Sequence, residues 1–438
     1  MAFVRSLLLG AFRGISKVYF RETEVVGAVP AADTRGRIFA ANHVNGLVDP
    51  ILVLTNAPCA ASPIAKSTLW KVPVLKWLLD AVDAVPVVRR RDDPNKPAES
   101  NDEIFDRVAS HLSRGGNILI FPEGTSHNEP HLVKLKSGAA RMLARAHAGG
   151  ARGLTFQAVG LEFEARDTFR SRALVVYGPV RAVDDVRVAG DDLAKAITDT
   201  LRIDLSELIV EGADWEEREL IARVASLFAH DTGDRSLAAW NEIGRQVEAA
   251  RKALGPEHAA MYGEIKARVS AYFDALDAGG LTDAEVATGA SSMKRGAKRR
   301  KLLLALALPL AIPGAALYWI PYQTPRIVAK RVAKQEHDVV STYKLGTGLV
   351  VFPVWAGALV GASLAFLPPP VSFAAAAVAV ASPFAALHWL DHLEQRKIGR
   401  RRAAPADIAR IGVLRAEVVA LLSRAREAIA PAAVATPS

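Results

Sequence analysis

RIFAANHVNGLVDPILV, residues 37–53, decides the fold class. A short apolar run ends in a polar turn holding His43, Asn45 and Gly46, and an apolar stretch resumes after Asp49 and Pro50. That order reads as a buried strand, a turn and a helix. The pattern recurs downstream. ASPIAK, AVPVV, GNILIFPEG, LTFQAVGLEF and ALVVYGPV are short, β-branched runs separated by amphipathic stretches. They predict an α/β domain over residues 26–210, a mixed sheet covered by helices.

Outward from this domain the patterns change. Residues 1–25 open with MAFVRSLLLGAFRGISKVYF, in which Val4, Leu8, Phe12, Ile15 and Tyr19 recur at helical spacing. Arg5, Arg13 and Lys17 fall together on another side, so the stretch reads as an amphipathic helix, either packed on the domain or lying at a membrane surface. Arg13 and Lys17 interrupt any signal-peptide core. Residues 211–293 are predicted to be a helical extension.

Residues 294–395 form the predicted membrane region, because 302–321, 345–367 and 371–390 are long apolar stretches flanked by basic residues. Three simple crossings would put basic flanks on opposite sides, so one stretch must turn back. Pro309, Pro313 and Gly314 point to 302–321 as a re-entrant or interfacial hairpin. The stretches 345–367 and 371–390, joined by Pro368, Pro369 and Pro370, then make a transmembrane hairpin. Residues 396–438 read as a basic cytoplasmic tail, with the catalytic domain on the cytoplasmic face. His388, Asp391 and His392 read as interfacial residues at a helix end.

The 438 residues carry a net charge of +9, which favours an anionic partner. The basic blocks lack interleaved aromatics and adjoin apolar spans, so they fit anionic lipid headgroups and not nucleic acid. A single cysteine, Cys59, excludes a disulfide-stapled secreted domain and a Cys-rich zinc site, and a reducing compartment is the default.

Two segments carry residues suited to chemistry. In the first, His43 and Asp49 lie six positions apart after a strand. A neutral imidazole can take a proton from an alcohol while a carboxylate on its other nitrogen fixes the tautomer. Spacing alone equally allows a turn histidine with Asp49 capping a helix. In the second, GGNILIFPEGTSHNEPHLVKLKSGAARML, residues 115–143, a buried strand runs into Glu123, Gly124, Thr125 and Ser126 and then a basic stretch. Glu123 suits a substrate hydroxyl, or a β-turn with a surface glutamate. His127 and His131 read as loop residues and not as ligands.

The two segments together, NHxxxxxD followed by FPEG, resemble the glycerol-3-phosphate and lysophosphatidate acyltransferase superfamily. They are most similar to its fungal-type glycerol-3-phosphate/dihydroxyacetone-phosphate branch. The matching residues are His43, Asn45, Asp49 and Pro50, then Phe121 to Gly124, Ser126 and His127. IAKSTLWKVPVLKWLLDAVDAVPVVRRRDD, residues 64–93, is similar to the branch's Ala-Lys-Ser segment and its phosphate-binding block, at Lys66, Arg89 and Arg91. AVGLEFEA, residues 158–165, resembles the segment lining the acyl pocket. Two features depart from the commonest pattern: five residues separate His43 from Asp49 where four are usual, and Ser126 stands where an arginine is usual.

The resemblance implies an acyltransferase domain with a membrane-embedded helical region. It would transfer a fatty acyl group from acyl-CoA to the sn-1 hydroxyl of glycerol 3-phosphate, or to dihydroxyacetone phosphate. His43 and Asp49 would be catalytic; Asn45, Lys66, Arg89, Arg91, Glu123, Gly124, Thr125 and Ser126 would bind substrate. No metal and no cofactor beyond the acyl-CoA co-substrate is expected, and the partners are substrate and a phospholipid membrane. A lysophosphatidate acyltransferase is the alternative of the same chemistry. A non-catalytic lipid-binding scaffold is the alternative of another class.

Overall fold

The computed structural model describes residues 2–87, 99–187, 192–254, 256–288, 297–333, 336–397 and 405–433. They divide into two units, Met1–Glu211 with Gln335–Thr342, and Gly212–Lys334 with Tyr343–Ser438.

The first unit is the α/β domain. Helix α1 (Ala2–Tyr19) leads into β1 (Glu22–Gly27) and β2 (Arg37–Ala41), followed by α2 (Val48–Asn56), β3 (Ser62–Lys66), α3 (Pro73–Ala81) and β4 (Val85–Val87). Then come α4 (Glu99–Ser113), β5 (Ile118–Ile120), α5 (Gly138–Ala148), β6 (Thr155–Phe163), β7 (Arg172–Ala182) and α6 (Leu193–Ser206). The seven strands form one sheet in the order β1-β7-β6-β2-β5-β3-β4. From β6 to β4 all neighbours are parallel; only β6 and β7 pair antiparallel. The mixed sheet agrees with the sequence reading. Ile38, Phe39, Leu119, Phe156, Val159 and Leu174 are all fully enclosed. That explains the near-continuous apolar runs, since a sheet covered on both faces has no polar side to alternate with.

Helix α1 buries Leu8 and Tyr19 of the expected apolar stripe, at 8% and 4% exposure. Arg5 donates to the Ala61 carbonyl at 2.6 Å, and Arg13 Nε donates to the Thr55 carbonyl at 2.7 Å. These two basic side chains reach back to carbonyls of the domain, while Phe3 and Leu7, outside that stripe, stand 79% and 66% exposed. The helix ends at Tyr19, and residues 22–25 of the expected N-terminal segment belong to β1.

The second unit is helical: α7 (Trp215–Thr232), α8 (Leu237–Ala253), α9 (Ala259–Gly279), α10 (Asp283–Thr288), α11 (Ala297–Leu317), α12 (Trp319–Val332), α13 (His337–Phe366, shared with the first unit), α14 (Val371–Lys397) and α15 (Pro405–Ala433). Helix α7 starts where Asp214 accepts the Glu217 N–H at 2.8 Å, and ends at Gly233 with φ +75°. The segment expected to be a basic tail is mostly helix α15. Its Ile411, Val418, Leu421 and Ala425 share a core with Leu220 and Val224 of α7 and Val269, Tyr272 and Leu276 of α9. The charge of that segment hid an apolar stripe.

Helices α13 and α14 are long and apolar enough to cross a membrane, which marks the chain as membrane-associated. The stretch 302–321 differs in detail from expectation. Helix α11 runs through Pro309 and Pro313, and the direction changes by 51° at Tyr318, between Leu317 and Trp319. The cause is Pro321, which lacks the N–H that Leu317 O would receive and crowds that carbonyl. Trp355 Nε1–H supplies the missing donor to Leu317 O at 2.9 Å. At Gly314 the backbone of α11 packs so closely on α14 that a Cβ would strike the Ser382 carbonyl. With α11 and α12 counted as one broken span there are three candidate crossings among the described residues.

Candidate active site

The site lies at the carboxyl ends of two neighbouring parallel strands. β2 and β5 pair with Ala40 opposite Ile120, so the chains leaving them carry His43 and Glu123 out at the same edge of the sheet. Open α/β sheets characteristically hold ligands there.

After β2 the chain tightens at Asn45, whose carbonyl accepts the Val48 N–H at 2.9 Å and the Asp49 N–H at 3.3 Å. This turn brings Asp49 back onto His43. Asp49 Oδ2 lies 2.9 Å from His43 Nδ1 and accepts the Asn45 N–H at 2.7 Å. Of the two readings that spacing left open, the carboxylate orients the imidazole; α2 starts at Leu47 without a side-chain cap, and Asp49 instead ties down the preceding turn through the Asn45 N–H. Asp49 is fully buried and the His43 side chain is 15% exposed. With Nδ1 bonded to a carboxylate, the neutral ring carries its proton there and leaves the Nε2 lone pair for a substrate. Phe121 stacks on the ring at 4.1 Å between centroids, fixing its plane.

Glu123 reaches across from the second motif. Its Oε1 accepts the His43 N–H at 3.0 Å, and the His127 N–H donates to the His43 carbonyl at 3.2 Å. The Glu123 carboxyl also pairs with His127 Nε2. His127 Nδ1 accepts the Glu129 N–H at 3.1 Å, so the neutral His127 ring carries its proton on Nε2, facing Glu123. Burial pushes the Glu123 carboxyl up to about 8, against the His43 N–H, which favours the charged form. Burial, and then the nearness of His43, pushes the His127 imidazole down. His127, expected to be an idle loop residue, thus belongs to the site through Glu123.

The other expected substrate-binding residues distribute unevenly. Gly124 has φ +79°, and the Lys136 side chain lies so close over it that a Cβ would meet Lys136 Nζ. Lys66 sits at the carboxyl end of β3, at the same edge of the sheet. Asn45 is wholly buried and donates to the Arg166 carbonyl at 2.9 Å. Thr125 is exposed. Ser126 donates to Asp338 Oδ2 at 2.6 Å. Arg89 and Arg91 lie outside the described residues.

Sequence reasoning missed Arg166, which follows β6 and so emerges at the same edge as His43. Arg166 Nη1 donates to the Val44 carbonyl at 3.3 Å and to the His127 carbonyl at 3.5 Å, bridging the two motifs. Its signal was present in the family-like segment 158–165, which ends one residue too early.

Residues 21–161 match the Acyltransferase family model. The chain is 27% identical over 281 residues to glycerol-3-phosphate O-acyltransferase 2 of Saccharomyces cerevisiae, a match covering 58% of this chain and 37% of the yeast protein. It is 27% identical over 133 residues to the chloroplastic 1-acyl-sn-glycerol-3-phosphate acyltransferase BAT2 of Brassica napus, covering 30% and 36%. The chain thus spans little more than a third of the length of either relative. The solved 1-acyl-sn-glycerophosphate (LPA) acyltransferase PlsC of Thermotoga maritima aligns over 47% of this chain and 81% of its own, with a TM-score of 0.34 and 18% identity.

Proposed function

We propose that this chain, whose residues 21–161 form an acyltransferase-family domain, transfers a fatty acyl group from acyl-CoA to the sn-1 hydroxyl of glycerol 3-phosphate. The observation that carries the reading is the His43–Asp49 pair at 2.9 Å, held from the opposite motif by Glu123. His43 Nε2 takes the proton of the acceptor hydroxyl as its oxygen attacks the thioester carbonyl. Asp49 stabilises the imidazolium that forms. The carbon–oxygen bond closes, the carbon–sulfur bond breaks, and the leaving thiolate takes the proton from Nε2. A thioester is already activated and a thiolate leaves readily, so the reaction needs no metal and no further cofactor.

The acceptor phosphate calls for cations beside the hydroxyl site. Lys136 over Gly124, Lys66 at the end of β3 and Arg166 between the motifs suit that role, and the sequence adds Arg89 and Arg91 after β4. The product partitions into lipid, which accounts for the apolar helices α13 and α14. Basic residues flank these spans, and the positive-inside tendency supports a cytoplasmic acyltransferase domain. Dihydroxyacetone phosphate offers the same hydroxyl and phosphate. The plant relative, named for an acceptor that already bears one chain, supports a second reading in which lysophosphatidate is the acceptor.

Thiol release from palmitoyl-CoA, with glycerol 3-phosphate, dihydroxyacetone phosphate and lysophosphatidate offered separately, separates these readings. Release with either of the first two, absent in His43→Ala, supports the proposal. Release with lysophosphatidate alone moves the protein to the second acylation. No acceptor-dependent release from folded protein favours the scaffold.

A further inference from the structure

The site contains a residue group more than two hundred positions beyond its motifs. Gln335–Thr342 belongs to the α/β unit, although the helix that begins there, α13, continues as an apolar stretch to Phe366. Asp338, Ser341 and Thr342 stand at i, i+3 and i+4, and therefore on one helix face. Each holds a different loop at the carboxyl edge of the sheet.

Thr342 Oγ1 accepts the Leu47 N–H at 2.9 Å, a donor at the start of α2 that the helix itself leaves without a partner. Gly46, at φ +37°, makes room for this approach, because a Cβ there would collide with Thr342 Oγ1. Asp338 Oδ2 accepts the Ser126 hydroxyl at 2.6 Å, the short separation of a charge-assisted bond. Ser341, fully buried, donates to the Arg166 carbonyl at 2.7 Å, the same oxygen that accepts Asn45 Nδ2. One helix face thus grips the loops after β2, β5 and β6. Ser126, at the position where an arginine is usual in the family, is committed to this grip.

We propose that Asp338 and Thr342 are positioning residues of the acyl-transfer site. They clamp the turn that joins His43 to Asp49 and the turn that follows Glu123, so that the imidazole and the acceptor subsite keep their register. The proposal rests on the acyl-transfer reading for its kinetic consequence and on the hydrogen bonds alone for its structural one. A base displaced by a fraction of an ångström loses rate without losing the acyl donor.

The test uses the full-length chain in detergent, with Thr342→Val, Thr342→Ser, Ser126→Ala, Asp338→Ala and the double variant Ser126→Ala/Asp338→Ala. Thr342→Val is expected to lower kcat about tenfold while KM for palmitoyl-CoA stays within about twofold. Thr342→Ser, which keeps the hydroxyl, restores the rate. Ser126→Ala, Asp338→Ala and the double variant are expected to share one loss of about tenfold, because they break the same bond. Deuterium uptake by the peptide spanning residues 40–53 is expected to quicken in Thr342→Val and to return to normal in Thr342→Ser. Unchanged kcat in Thr342→Val overturns the proposal, as do losses that add in the double variant. A wild type with no acyl transfer sinks the function alone; the clamp then stands if uptake quickens in Thr342→Val and falls if it does not.

Discussion

The backbone N–H of His43 donates to the side chain of Glu123 at 3.0 Å, so the glutamate of the second motif holds the histidine of the first. Eighty residues separate them in sequence, and the parallel pairing of β2 with β5 brings them together. The glutamate therefore fixes the position of His43 as well as lining the site.

Replacing Glu123 should separate those roles. Glu123→Gln keeps an oxygen for the His43 N–H and is expected to lower kcat about tenfold, whereas Glu123→Ala leaves that donor unpaired and should cost about a hundredfold. Equal losses in steady-state kinetics would mean that the bond to His43 contributes nothing.

The tautomer lock at Asp49 gives a steeper effect. In Asp49→Asn an amide faces His43 Nδ1 in place of a carboxylate and favours the wrong tautomer, so kcat should drop about a thousandfold with the fold retained. Circular dichroism and single-turnover rates together check this.

Glu123 also sets a slope of stability against pH. The folded carboxyl keeps its proton up to about 8, whereas the ordinary value is 4.5. The folded state thus binds the extra proton between these limits, and stability falls as pH rises through that window. Glu123→Gln should flatten the slope. His127, pushed down, contributes a slope of opposite sign, with stability lost as pH falls. Melting temperatures of both proteins at about pH 5 and about pH 8 decide it: the wild type should lose more than the variant across that range.

In the helical unit, Asp283 accepts from His230 Nδ1 at 2.7 Å, Tyr272 OH at 2.6 Å and Arg415 Nε at 2.8 Å. Burial pushes its carboxyl up, but those three donors outweigh burial and hold it below the usual range. Arg415→Met removes one of them and should cost about 3 kcal/mol, measured by denaturant unfolding. Asp283→Asn in the same chain should recover part of that loss. An Arg415→Met variant as stable as wild type would show that α15 is held by its apolar stripe alone.

Trp355→Phe tests the account of the bend at Tyr318. Losing the donor to Leu317 O should lower stability in detergent by about 1 kcal/mol. No change in melting temperature would mean that the carbonyl finds another partner.

Much of the α/β unit was readable in sequence because buried parallel strands announce themselves as unbroken apolar runs, and because the His43 and Glu123 segments each follow such a run. What escaped depends on tertiary contact. Arg5 and Arg13 looked like the polar side of a surface helix, yet their charge is spent on the carbonyls of Ala61 and Thr55. The stripe of Ile411, Val418 and Leu421 was masked by surrounding charge. Pro309 and Pro313 looked like the break, but a helix packed against α14 accommodates them, and Pro321 supplies the bend. Asp338 and Thr342 carry no local signal at all, since their meaning lies in loops far away along the chain.

The central claim is that His43 is the base of an acyl transfer. The most direct measurement is acceptor-dependent thiol release from palmitoyl-CoA by the full-length chain, with glycerol 3-phosphate as acceptor, compared between wild type and His43→Ala. Release by the wild type that falls at least about a thousandfold in the variant is the predicted result. Equal release by both proteins, or none from a folded wild type with any of the three acceptors, would contradict it.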